Sequence, residues 1–142
     1  MIVRGTTPYH NFILPVLAED IDTIWVTYCQ NGDVVFERSN TEEDDRMEII
    51  NLVDLYENAN VEIIPDEEKT FSQLTVHLTQ EETLGFIFYA AARKNIATIQ
   101  IRLLTTDGEA YASEPVKERI FGVRHDGVIG VIDEGIENGE QG

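Results

Sequence analysis

The chain of 142 residues is 42% hydrophobic and 26% charged, with 27 acidic residues against 10 basic ones and a formal charge of -17. That size suits one domain around a single apolar core, and the apolar share excludes a chain disordered throughout. So large an acidic excess argues against a nucleic-acid backbone as partner, because phosphate contacts require a basic surface.

The first strand-like run has His10, Phe12 and Leu14 alternating with Asn11 and Ile13, before Pro15 limits further pairing. Ile24, Val26 and Tyr28 then share one face of a run whose other face carries Trp25, Thr27 and Cys29. Asn31-Gly32 follows, and Val34, Val35, Phe36 and Glu37 return. Asn-Gly accepts the positive φ values of a type I′ turn, so this segment is expected to be a β-hairpin.

From Thr41 to Glu68 there are 11 acidic residues and only Arg46 basic. Thr41 and Asp44 stand at capping spacing, and Ile49, Leu52, Val53 and Tyr56 recur at i, i+3, i+4 and i+7. This predicts an amphipathic helix over 41–58 with Glu48, Asn51 and Glu57 turned outward. Its apolar stripe must meet the rest of the fold or another chain, although Ile63 and Ile64 leave open a strand extended back into the same region.

Leu74, Val76 and Leu78 alternate with Thr75 and His77, marking a strand with one buried face. Gln80-Glu81-Glu82-Thr83-Leu84 reads as one helical turn or a bend between sheets. Ala97, Ile99, Ile101 and Leu103 alternate with Thr98, Gln100 and Arg102, and Asp107-Gly108 supplies a turn before 109–113 returns. In a last strand over 116–123, Val116, Glu118 and Ile120 alternate with Lys117, Arg119 and Phe121. The segment 126–142 has five acidic residues, no basic one and many glycines, and is expected to form a flexible acidic tail.

Six or seven short strands with two tight hairpins and little helix predict a mainly all-β chain, an antiparallel Ig-like β-sandwich with one short helical insertion. The expected organisation is a sandwich domain over 1–125, carrying the acidic, partly helical insertion at about 41–68, and a tail over 126–142. An antibody-type Cys-Trp-Cys framework is missing, since Cys29 is the single cysteine. It can form no internal disulfide, which fits a reducing compartment. No membrane span is expected, because the longest runs free of charge and amide, 12–18 and 86–92, fall far short of about 20 residues. No secretory signal is expected either, since polar residues follow Arg4.

Catalytic chemistry finds little support. His10, His77 and His125 lack partners at zinc spacings, and Cys29 reads as a structural thiol. The acidic clusters Glu42-Glu43-Asp44-Asp45, Asp66-Glu67-Glu68 and Glu81-Glu82 suit a solvated edge better than a calcium site, and no EF-hand pattern occurs. No phosphate-binding glycine loop or serine elbow is present. The aromatic residues are better read as core and cross-strand pairs than as a sugar-binding groove, with Trp25 the exception because it faces away from Ile24, Val26 and Tyr28. No enzyme activity, cofactor or metal is expected.

The motifs Arg4-Gly5-Thr6-Thr7-Pro8, Phe12, Leu14-Pro15, Val26-Thr27-Tyr28-Cys29-Gln30-Asn31-Gly32, Leu78-Thr79-Gln80-Glu81-Glu82-Thr83-Leu84, Gln100-Ile101-Arg102, Thr105-Thr106-Asp107-Gly108 and Ala112-Ser113 span most of the chain. In these the sequence resembles a family of small uncharacterised structural-type proteins encoded in prophages of Firmicutes. It is more loosely similar to the N-terminal domains of phage baseplate upper proteins. The usual members look shorter between the hairpin and the Leu-Thr-Gln-Glu-Glu element, so the acidic insertion and the tail are departures. The motifs bear on fold and none is catalytic.

The resemblance implies a non-enzymatic structural or assembly component of a phage or prophage particle, associated with its tail or baseplate. Its partners would be other phage structural proteins and copies of itself, with no nucleic acid or membrane, in the bacterial cytoplasm during assembly, with entry into the virion left open. The candidate contact residues are Ile49, Leu52, Val53, Tyr56 and Trp25. The alternatives are a carbohydrate- or calcium-binding recognition module and, ranked below it, an acidic DNA mimic.

Overall fold

The computed structural model describes residues 1–41 and 46–122. In chain order these form β1 (Ile2–Val3), β2 (Tyr9–Leu14), β3 (Ile21–Gln30), β4 (Asp33–Ser39), β5 (Met47–Asn51), α1 (Leu52–Asn58), β6 (Ser72–His77), α2 (Gln80–Leu84), β7 (Ile96–Thr105), β8 (Ala110–Ala112) and β9 (Val116–Phe121). Short 3₁₀ turns lie at Ala18–Asp20, Asp66–Thr70 and Ala92–Lys94. The chain is therefore mainly β with a short helical insertion. The tail expected over 126–142 lies outside the described residues, as do His125 and the cluster Glu42–Asp45.

Period-two alternation places the core. Ile24, Val26 and Tyr28 of β3 and Ala97, Ile99, Ile101 and Leu103 of β7 are buried, and β3 pairs with β7 so that Val26 faces Ile101 and Tyr28 faces Ile99. Leu14 of β2 and Leu74 and Val76 of β6 join the same cluster from the other layer. Two sheets thus share one hydrophobic interior.

The larger sheet has the order β1-β9-β7-β3-β4, with β8 paired alongside β7; the smaller is β2-β6-β5. With strands lettered as in immunoglobulin domains, β2-β6-β5 stands as B-E-D and β9-β7-β3-β4 as G-F-C-C′. The architecture is an Ig-like sandwich without its disulfide. Pairing is antiparallel except between β1 and β9, which run parallel with Ile2 opposite Ile120.

Turn chemistry fixes the two expected hairpins. Asn31 and Gly32 have φ of 52° and 85°, the two positive values of a type I′ turn. At the β7–β8 turn Gly108 takes φ of 92°, and the Thr105 side chain accepts from the Glu109 amide.

Two strands exceed the number expected from the sequence. β1 has only two residues, too few to show a period. The other corrects the helix predicted over 41–58: Met47–Asn51 is strand β5, with Ile49 opposite Leu74, and the helix begins only at Leu52. The Thr41 amide bonds to Ser39 Oγ within a turn, and no helix that it caps occurs among the described residues. The i, i+3, i+4, i+7 stripe arose because the strand ends where the helix starts, so Ile49 and Leu52–Tyr56 belong to different elements. No strand runs back through Ile63 and Ile64.

Candidate functional site

Two arginines, Arg38 and Arg4, hold α2 against the sandwich, and a third, Arg46, braces the chain that leads into it. Arg38 lies on β4 opposite Val26, on the same side as Phe36, and is almost fully buried. Its Nε and Nη2 each reach a Glu82 carboxylate oxygen at 2.6 Å, and Nη2 also donates to the His77 carbonyl at 3.1 Å. Thr79 is the helix N-cap: its hydroxyl accepts from the Glu82 amide while Glu82 accepts from the Thr79 amide, a complete capping box. Burial works to raise the Glu82 carboxyl, but the Arg38 and Thr79 hydrogen bonds outweigh it and hold the group below its ordinary value.

Arg46 donates to the carbonyls of His77 and Leu78, just ahead of this cap. At the other end of α2, Arg4 Nε donates to the Phe86 carbonyl at 2.6 Å and Nη2 to that of Leu84 at 3.1 Å. A guanidinium among the last carbonyls complements the end of a helix.

Gln30 and Asn95 hold the segment that follows. The Gln30 amide donates to the carbonyls of Ile87 and Lys94 and accepts from the Ile87 amide. Asn95 pairs with both main-chain groups of Tyr89. The consequence is that Ile87 and Phe88 are held half-exposed, at 53% and 50%, on an anchored loop.

The face of the larger sheet that points away from the core carries Trp25. Register places Trp25 opposite Arg102 and Arg102 opposite Ala112, in one row across β3, β7 and β8. The small side chains of Ala110 and Ala112 leave a groove of about 320 Å³ lined also by Leu103, Leu104 and Tyr111. The Arg102 guanidinium lies 5.3 Å from the centre of the indole and 3.5 Å from Glu37.

The candidate contact residues are thus divided. Trp25 is half-buried at the groove, whereas Leu52 is buried and Ile49, Val53 and Tyr56 are half-buried on β5 and α1, across the sandwich from it. The Tyr56 hydroxyl donates to Glu68 and ties α1 to the 3₁₀ turn Asp66–Thr70.

The described histidines pack against aromatic rings: His77 stacks on Tyr9 at 3.9 Å, and His10 Nδ1 lies 2.8 Å from the Tyr28 hydroxyl. Burial pushes the His10 imidazole below its ordinary value and the Tyr28 phenol well above its own, so both are neutral near pH 7. Tyr28 also stacks on Phe36 at 4.4 Å, the cross-strand pair expected of this hairpin. Cys29 is a half-buried free thiol. Among the described residues no three His, Cys, Asp or Glu side chains come together as a metal set, and no helix is long and apolar enough to cross a membrane.

Sequence reasoning missed the roles of Arg4, Arg38, Arg46, Gln30 and Asn95. For Arg38 a signal existed, because it follows Phe36 by two residues and so falls on the core-facing side. Comparison with protein-family models and with curated proteins gives no match.

Proposed function

We propose that this chain is a non-enzymatic structural or assembly component of a phage or prophage particle, associated with its tail or baseplate and acting through protein–protein contacts. The observation that carries the reading is the use made of buried polar side chains. Gln30 and Asn95 hydrogen-bond the main chain of 87–95 so that Ile87 and Phe88 stay outward on a fixed loop. An apolar pair held exposed by a pre-organised scaffold suits docking to another protein, since little order is lost on binding. The resemblance of the sequence motifs to prophage-encoded structural-type proteins supports the setting.

The test separates particles from soluble protein on a density gradient after prophage induction. Co-sedimentation with particles, or defective particles when the gene is deleted, is the expected result. Protein confined to the soluble fraction, with intact and infective particles in its absence, overturns the reading.

A second reading, a carbohydrate-recognition module, draws on the half-exposed indole at the groove. Glycan binding abolished by Trp25→Ala would favour it. The Arg102 guanidinium already lies over that ring, where a sugar would stack, and this weighs toward a protein partner.

A further inference from the structure

The basic side chains are gathered on one face of the sandwich, although acidic ones occur on both layers. Of the nine described basic side chains, Arg4, Arg38 and Arg46 are engaged around α2, and Lys69 pairs with Asp66 at 3.0 Å. The other five, Arg93, Lys94, Arg102, Lys117 and Arg119, all belong to β7, β9 and the turn that feeds β7. Register places Lys117 opposite Thr98 and Arg119 opposite Ile96, on the same outward face as Trp25 and Arg102. In a chain with 27 acidic residues, this face carries Arg102 at the groove and Lys117 and Arg119 farther along the sheet, together with Glu37, which lies 3.5 Å from Arg102.

The opposite chemistry lies on the other layer. After α1 the chain runs without regular structure through 61–65 into the turn Asp66–Thr70. Ile63, at 85%, is the most exposed large apolar side chain described, and Val61 is also exposed. Glu62, Asp66 and Glu67 flank it. A branched aliphatic knob flanked by acidic residues thus faces solvent on one side of the molecule, and an apolar groove beside Arg102, on the face that carries Lys117 and Arg119, on the other.

We infer that the two are halves of one contact: the segment 61–67 of one copy docks on the outer face of β3-β7-β8 of a second copy. Ile63 enters the groove against Leu104, Ala110 and Ala112, and Glu62 and Glu67 meet Arg102 and Lys117. Within one molecule the segment follows β5 of the smaller sheet, whereas the groove is on the far face of the larger sheet, so the occupant is another copy. Two different patches make this a heterologous contact, which propagates head to tail or closes into a ring. Electrostatic complementarity sets its orientation and makes it salt-sensitive. The inference rests on the assembly reading above and names one partner for it.

Sedimentation velocity over a hundredfold concentration range tests it. The expected result is concentration-dependent association at low salt, weakened at least tenfold in 0.5 M NaCl. Ile63→Asp and Ala112→Glu alter exposed positions, one on each half. Each variant alone should sediment as a monomer, and an equimolar mixture should recover a contact and stop at dimers, because each retains one intact half. Circular dichroism confirms that both remain folded. Monomer at every concentration, or association that survives both substitutions, overturns the inference. Association through another surface would leave the assembly reading standing, whereas infective particles formed without the protein would remove that reading whatever the sedimentation shows.

Discussion

Two short helices of similar length sit in this sandwich on very different foundations. α2 has a complete capping box, a paired Arg38–Glu82 bridge at its start and Arg4 among its last carbonyls. α1 starts at Asn51, whose side chain makes no cap bond and instead reaches the Ala18 amide and the Glu19 carboxylate. α1 places one buried residue, Leu52, and otherwise leans on the strand before it. The contrast shows how a five-residue helix becomes fixed by charge and capping, while a seven-residue one depends on one buried side chain and a solvent-side tie from Tyr56.

The largest effect is expected at the α2 bridge. Arg38→Met keeps bulk but leaves Glu82 half-buried without its cation, at a cost of about 3 kcal/mol in denaturant unfolding at pH 7. Glu82 is held below its ordinary value in the fold, so its contribution is present above about pH 4.5 and is lost as pH falls through the folded value. The gap between the native chain and Arg38→Met should therefore hold steady down to about pH 4.5 and narrow as unfolding is followed below it, through the depressed folded value. A gap that is constant with pH would mean that Arg38 acts by packing alone.

On the other helix the expected break is at Leu52. It is 5% exposed at the margin of the core, and Leu52→Ala should cost about 2 kcal/mol, the lower end for such a truncation because the site can partly collapse. Amide exchange should then accelerate through 52–61 and leave α2 unchanged. Acceleration in both helices would show that they unfold as one unit.

These two helices also mark what the sequence makes legible. The capping box of α2 is local, four residues long, and is read directly from Thr79 and Glu82. Both hairpins were legible for the same reason, since Asn31-Gly32 and Asp107-Gly108 announce their backbone geometry. The helix expected over 41–58 was not: Met47–Asn51 adopts the extended form because β6 offers it a pairing edge, which no local pattern encodes. The arginine anchors were hidden in the same way, because Arg4 and Phe86 meet only through the fold. Trp25 stood out by the parity of its strand, but the groove beside it depends on Ala110 and Ala112 arriving from another strand.

Removing the cap alone should have a smaller effect. In Thr79→Ala the Glu82 amide loses its acceptor while the Arg38 bridge remains, and the expected cost is about 1 kcal/mol. A double-mutant cycle with Arg38→Met tests whether cap and bridge act together through Glu82. A coupling above about 0.5 kcal/mol is expected, because the Thr79 hydroxyl fixes the main chain of the residue whose carboxylate takes the Arg38 bridge.

The smallest effect is expected at Tyr56. Its hydroxyl donates to Glu68, and this bond, followed by burial, raises the phenol above its ordinary value. Tyr56→Phe removes the tie between α1 and the turn Asp66–Thr70 but leaves the ring in place. Both groups are near solvent, where a lost hydrogen bond is largely replaced by water, so the global unfolding midpoint should not move measurably. The change should be local. The amides of Ala59, Asn60 and Val61 bond back to Leu55, Tyr56 and Glu57, and they should exchange faster once the turn is released. Since Ile63 lies between the two tied points, the same substitution should also loosen any contact that Ile63 makes with a second copy. A shifted midpoint would instead place α1 among the cooperative elements of the core, as firmly held as α2.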